Sequence, residues 1–192
     1  MKINNRDVEH DIEKIFPNRW SPRAMSGEKI NDKELMKLFE AARWAPSSSN
    51  IQPWRFVYAR RDSKEWDKFF NALMEFNQQW CKNAAVLILA VSKQKNEEGK
   101  DLTTSSFDTG AACENLALQG SMMGLVIHGM AGFDYKKARE ALDIPEDYKI
   151  EAMIAVGKKG NKNDLPEFLK EREVLSGRNK VESFIFEGKF RL

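Results

Sequence analysis

The chain has 192 residues, which at about 150 residues per domain predicts a single domain over 1–192. Its 31 Lys and Arg against 29 Asp and Glu leave a formal charge of +2, so neither nucleic acid nor an acidic membrane is an expected partner. With 42% hydrophobic and 31% charged residues, the composition excludes both a disordered chain and a membrane protein.

The longest apolar run, Ala84 to Val91, is eight residues, against the roughly 20 that a spanning helix needs. The amino-terminal stretch shows no signal peptide. Two cysteines (Cys81, Cys113) and two histidines (His10, His128) make neither a disulfide framework nor a zinc site. The expectation is a soluble, reduced, cytoplasmic protein without a metal.

In chain order, the first clear helix starts at Asn31, where Asn31 and Glu34 have capping-box spacing. Leu35, Leu38, Phe39 and Ala42 repeat at helical spacing until Pro46 forbids continuation. A polar turn, Ser47 to Asn50, leads to a strand at Arg55–Ala59. The spacing of Trp66, Phe69, Phe70, Leu73, Asn77 and Trp80 predicts one helix from about Ser63 to Trp80. The continuous run Ala84–Val91 predicts a strand covered on both faces.

Phe107 to Met123 is apolar almost all round and predicts a helix buried on several sides. Within it Gly110, Ala111, Ala112 and Gly120 admit a close helix neighbour. A strand at Leu125–His128, a turn at Gly129–Gly132, a helix capped by Asp134 and a core strand at Ile150–Val156 follow. The tail, Glu182 to Leu192, carries Phe184, Ile185, Phe186 and Phe190 with no turn back to a core, as an arm packing on another subunit would. Helices and strands mix without strict alternation, so the predicted class is α+β.

Hydrolytic and nucleotide motifs are absent: there is no G-x-S-x-G, no Walker A sequence and no G-x-G-x-x-G. Four clusters carry chemistry instead. In Arg19-Trp20-Ser21-Pro22-Arg23, two guanidiniums four residues apart with a hydroxyl between them suit one phosphate, and Arg178 is a further candidate. Pro46-Ser47-Ser48-Ser49-Asn50, pinned between prolines, presents polar groups from a rigid turn that suits a flat heteroaromatic ring or an ordinary loop equally. Asn77 stands alone on an apolar stripe, where a carboxamide either bonds neighbouring backbone or recognises a ligand edge. In His128-Gly129-Met130-Ala131-Gly132, the glycines allow backbone N–H groups close to a ligand.

Together, and in this order, these clusters resemble the FMN-dependent nitroreductase family. Arg19-Trp20-Ser21-Pro22-Arg23 is similar to its Arg-x-Ser-x-Arg phosphate segment. Ala45 to Trp54 is similar to its Pro-Ser-Ser-x-Asn-x-Gln-Pro-Trp segment. Asn77, the central helix from Asp108, the Met130-Ala131-Gly132 loop and Arg178 complete the match, which spans roughly residues 15 to 190.

The resemblance implies a three-layer fold, with a central, mostly antiparallel sheet flanked by helices. It implies a homodimer that exchanges carboxy-terminal arms of about residues 180–192. FMN would be held by Arg19, Trp20, Ser21, Arg23, Asn77, Met130, Ala131, Gly132 and Arg178 of one subunit, and by Pro46, Ser47, Ser48 and Asn50 of the other. NAD(P)H would be the electron donor in a ping-pong reduction of nitroaromatic, quinone or similar small-molecule acceptors, with no catalytic side chain beyond the FMN contacts. A different flavin reaction (dehalogenation or flavin breakdown) and a non-catalytic flavin-binding dimer are the alternatives. The polar segment Ser92–Thr104 lies where larger relatives carry extra helices.

Overall fold

Two short strands, β1 (Lys2–Ile3) and β2 (Arg6–Asp7), open the computed structural model, which describes residues 2–191. They are followed by α1 (Ile15–Asn18), α2 (Asp32–Arg43), β3 (Trp54–Arg60), α3 (Trp66–Phe70) and α4 (Glu75–Cys81). Then come β4 (Val86–Lys93), α5 (Ser105–Met122), β5 (Leu125–Met130), α6 (Tyr135–Ala141), β6 (Tyr148–Lys158) and α7 (Glu167–Lys170). The main sheet has the order β3-β4-β6-β5, and every neighbouring pair is antiparallel.

The sheet is built around β4, whose first seven residues are all buried. Successive side chains of a strand point to opposite faces. Val86, Ile88 and Ala90 therefore enter one core with Leu35, Leu38 and Ala42 of α2 and Ala112 and Leu116 of α5. Leu87, Leu89 and Val91 enter the other, with Trp66, Phe69, Trp80, Ala138 and Leu169 from α3, α4, α6 and α7. Fully burying one such aliphatic side chain stabilises by about 1.5–3 kcal/mol, so this strand alone ties both helical layers to the sheet. The three-layer α+β arrangement and the doubly covered strand are as the sequence predicts.

The capping box also forms. Asn31 Oδ1 accepts from the Glu34 N–H at 2.9 Å, and Glu34 Oε2 accepts from the Asn31 N–H at 2.8 Å. Asp134 caps α6 through the Lys137 N–H at 2.9 Å.

The predicted helix from Ser63 to Trp80 is corrected: it is two helices, α3 and α4, separated by Asn71–Met74. Backbone pairing across the fold wins over helical spacing here. Met74 N–H donates to Gly132 O at 3.1 Å, and Asp134 N–H donates to Ala72 O at 2.8 Å. The Gln78 amide donates to Phe70 O and Leu73 O, satisfying carbonyls released by the break.

The central helix is corrected in its burial. Ala112, Leu116 and Gly120 of α5 face the core, yet Phe107 is 82% exposed and Met122 63% exposed. Phe184, Ile185 and Phe190 of the tail are likewise exposed, and Phe186 and Phe190 touch only each other as rings, 5.0 Å apart. Among the described residues no helix is long and apolar enough to cross a membrane.

Gly120 is the tightest point between α5 and the sheet. A Cβ there would stand 2.3 Å from Ile127 Cγ1. Alanine gains about 1 kcal/mol of helix propensity over glycine, while overpacking costs about 1–3 kcal/mol. Gly120→Ala is expected to lower the unfolding free energy by about 1 kcal/mol in urea denaturation; a stabilised variant would contradict this packing.

Candidate functional site

Five arginines converge on one cavity of about 290 Å³, lined by Arg6, Arg19, Arg23, Arg172 and Arg178 together with Trp20, Ser21, His128, Val174 and Ser176. No carboxylate lines it. Arg19, Ser21 and Arg23 come from the loop after α1; Arg172 and Arg178 come from the segment after α7. The Arg19 guanidinium donates to Ser21 Oγ at 3.4 Å, and its Nε pairs with Glu114 on α5 at 3.2 Å. Arg178 donates to Ser176 Oγ at 3.1 Å and Gly177 O at 2.8 Å.

The loop is clamped from below by Glu173, which is buried. Its carboxylate accepts from the Arg23 N–H (2.8 and 3.0 Å) and from the Ala24 N–H (2.9 Å). A single side chain thereby fixes the main chain of one arginine while leaving its guanidinium free to face the cavity. Arg23 Nε and Arg6 Nε are both buried without a hydrogen-bond partner among the described residues. Buried unpaired donors are uncommon and costly; here two of them belong to guanidiniums in one cavity, which suits an anion with several acceptor oxygens.

His128 closes the cavity floor. Burial pushes it below the ordinary histidine range, against the opposing hydrogen bond to Pro22 O. The neutral ring with its proton on Nδ1 donates to that carbonyl at 3.0 Å. The ring also packs against Trp80, 4.6 Å between centroids.

Trp80 leads to the second predicted cluster. Its Nε1 donates to Asn77 Oδ1 at 3.2 Å, and Asn77 Nδ2 donates to Gly132 O at 2.8 Å. Asn77 is thus a satisfied buried residue that pins the Met130–Gly132 loop, with a second amide proton still to give. Met130 is buried, touching Cys81 through sulfur at 3.8 Å, while Ala131 is exposed. The arginine cavity, His128, Trp80, Asn77 and Gly132 form one unbroken chain of contacts.

Pro46, Ser47, Ser48 and Asn50 line no part of that cavity. They form a separate loop, with Pro46, Ser48 and Asn50 exposed. Ser49, Asn50 and Gln52 all have positive φ (50°, 56° and 53°) although none is glycine. Such residues carry local strain and cluster at functional sites. The loop is held by Ser47 Oγ, which accepts from the Gln52 N–H at 3.0 Å, and by Asp108 of α5, which accepts from the Ser48 N–H at 3.2 Å.

The two cysteines carry no reactive character. Burial pushes Cys81 upward, and pushes Cys113 up to about 12, both far from a thiolate at neutral pH.

Sequence reasoning missed Arg6, Arg172 and Glu173, and named His128 only within the fourth cluster, apart from the arginines it sits with. Arg172 and Glu173 sit just before the flagged Arg178, so a charged cluster there was a usable signal. Arg6 had none, because only the fold brings it to the cavity.

With this geometry established, comparison with known proteins gives the class. The model of the Nitroreductase family matches residues 17–79 and 61–158, and the chain belongs to that family. A protein of Archaeoglobus fulgidus described as an NADH dehydrogenase/NAD(P)H nitroreductase is 27% identical over 158 residues, covering 80% of this chain and 88% of that one. Protein DrgA of Synechocystis is 30% identical over 181 residues, covering 76% and 82%. A crystal structure of an oxidoreductase containing FMN superposes with a TM-score of 0.95 at 45% identity, covering all of this chain and 98% of its own.

Glu173→Gln tests the clamp. A glutamine oxygen can still accept from both N–H groups, but the charge that strengthens those bonds is lost and the amide NH2 then opposes the Arg23 N–H, at a cost of about 1 kcal/mol. The variant is expected to lose stability by that amount in urea unfolding; a loss below about 0.5 kcal/mol, within the noise of surface substitutions, would show that the clamp is dispensable.

Proposed function

We propose that the protein is an FMN-dependent oxidoreductase, one domain over 1–192, that uses NAD(P)H to reduce nitroaromatic, quinone or similar small-molecule acceptors and works as a cytoplasmic homodimer. The observation that carries the reading is the cavity lined by five arginines. A phosphate monoester is a dianion rich in acceptors, and guanidinium forks bind it bidentately. Arg19, Ser21, Arg23 and Arg178 would hold that phosphate, and Trp20 would wall it.

From there the contacts through His128, Trp80 and Asn77 lead to Met130, Ala131 and Gly132, where Asn77 and the loop backbone would meet the ring edge. When bound, FMN would supply the redox chemistry that links NAD(P)H to the acceptor in a ping-pong scheme. The residues of this chain bind and orient; none is required as an acid or base.

The exposed Pro46, Ser47, Ser48 and Asn50 loop would serve the site of a second subunit. The uncovered Phe107 and Met122 on α5, and the apolar tail, support a partner of the same kind. The relatives named for NAD(P)H, and the FMN of the similar crystal structure, support donor and cofactor.

Purified protein is expected to show oxidised-flavin bands at about 370 and 450 nm that bleach with NADH or NADPH without oxygen. Bands that neither donor bleaches would favour a non-catalytic flavin dimer or another flavin reaction; a colourless protein that refuses FMN would overturn the reading. Arg23→Ala removes a charge-assisted contact of about 1.5–3 kcal/mol. It is expected to weaken FMN binding about tenfold or more in a fluorescence titration, with the apo fold kept by circular dichroism. Unchanged FMN stoichiometry and affinity would sink the phosphate assignment.

A further inference from the structure

Arg6 stands apart from the other cavity arginines. It precedes the segment matched by the family model, and it arrives on the amino-terminal hairpin of β1 and β2. It is nevertheless among the few buried charged residues, at 8% exposure. Its Nη1 donates to Pro17 O at 2.7 Å and to Arg19 O at 2.9 Å, so the hairpin is stitched to the backbone that carries Arg19. Its Nε is buried with no partner among the described residues, and the side chain lines the cavity.

A guanidinium in that position is costly until an anion arrives. Burial, then the charges of Arg178 and Arg19, all act to lower its proton affinity. Buried surface charge of one sign is tolerated where the opposite charge binds. Two carbonyls engage Nη1 while the side chain also lines the cavity, so one arginine can both anchor a loop and present a guanidinium edge to a ligand.

We infer that Arg6 is a fifth anion-binding residue, and that through it the amino-terminal hairpin sets the preference for a phosphorylated flavin over the same ring system without phosphate. This rests on the FMN reading above. Arg6 would act twice: by donating from the cavity-lining part of its guanidinium to a phosphate oxygen, and by holding the Pro17–Arg19 backbone so that Arg19 faces the same anion. Either action strengthens binding of FMN and neither touches the isoalloxazine ring, so riboflavin is the discriminating ligand.

The test titrates apo-protein with FMN and with riboflavin, following flavin fluorescence, for wild type and Arg6→Gln. The wild type is expected to prefer FMN, and Arg6→Gln to lose at least tenfold in FMN affinity with riboflavin affinity unchanged, so that the preference collapses. A ratio that stays at the wild-type value overturns the inference, whether both affinities hold or both fall together, because a merely structural role moves the two ligands alike.

If Arg6→Gln does not fold, Arg6→Lys carries the test. It keeps the charge but not the fork, and is expected to lose at least threefold for FMN and nothing for riboflavin; an unchanged ratio overturns the inference again. A wild type that binds neither flavin overturns the FMN reading itself, an outcome distinct from an unchanged ratio in the variants.

Discussion

Five like charges around one small cavity repel one another, and much of the fold is arranged to hold them there. No one element supplies them. Arg6 comes from the amino-terminal hairpin, Arg19 and Arg23 from the loop after α1, and Arg172 and Arg178 from the far end of the chain. Four are restrained within the chain: Arg6 by two carbonyls, Arg19 by Glu114, the main chain of Arg23 by Glu173, and Arg178 by Ser176 and Gly177. The restraints come from segments up to 150 residues apart, so the charge cluster exists only once the chain has closed on itself. That is preorganisation in the electrostatic sense: the repulsion is met during folding, and the anion proposed above would offset it.

The layered core makes this closure possible. With β4 buried on both faces, the α2 and α5 layer and the α3, α4, α6 and α7 layer share one rigid partition. The β5 strand then delivers His128 to the cavity and Met130 to the neighbouring loop from a single sheet edge. Phe107 and Met122 of α5, and Phe184, Ile185 and Phe190 of the tail, remain exposed. These side chains fit the second subunit proposed above, and the strained loop at Ser49, Asn50 and Gln52 is exposed at Ser49 and Asn50.

Local signals were readable wherever local energetics decide the outcome. The Asn31–Glu34 box, the Asp134 cap and the unbroken apolar run of β4 each satisfy themselves within a few residues or by burial alone, and all three form. The stretch from Ser63 to Trp80 reads as helix for an equally local reason. It breaks because Leu73 and Met74 pair with Gly132 and Phe133, partners that spacing cannot reveal. The site divides the same way: Arg19, Trp20, Ser21 and Arg23 are contiguous and were legible, whereas Arg6 and His128 acquire their place only from the hairpin and the sheet. Asn77 was legible as an oddity, a polar residue on an apolar stripe, but its partners were not.

The contact between Asn77 and Gly132 has a consequence for how this sequence can change over time. A Cβ at Gly132 would lie 2.5 Å from Asn77 Nδ2, while the Gly132 carbonyl is the acceptor for that same amide. Any larger residue at 132 displaces the carboxamide, and a residue at 77 without a donor leaves the Gly132 carbonyl with the Met74 N–H alone. The two positions, 55 residues apart, are therefore coupled: what a substitution costs at one depends on which residue stands at the other.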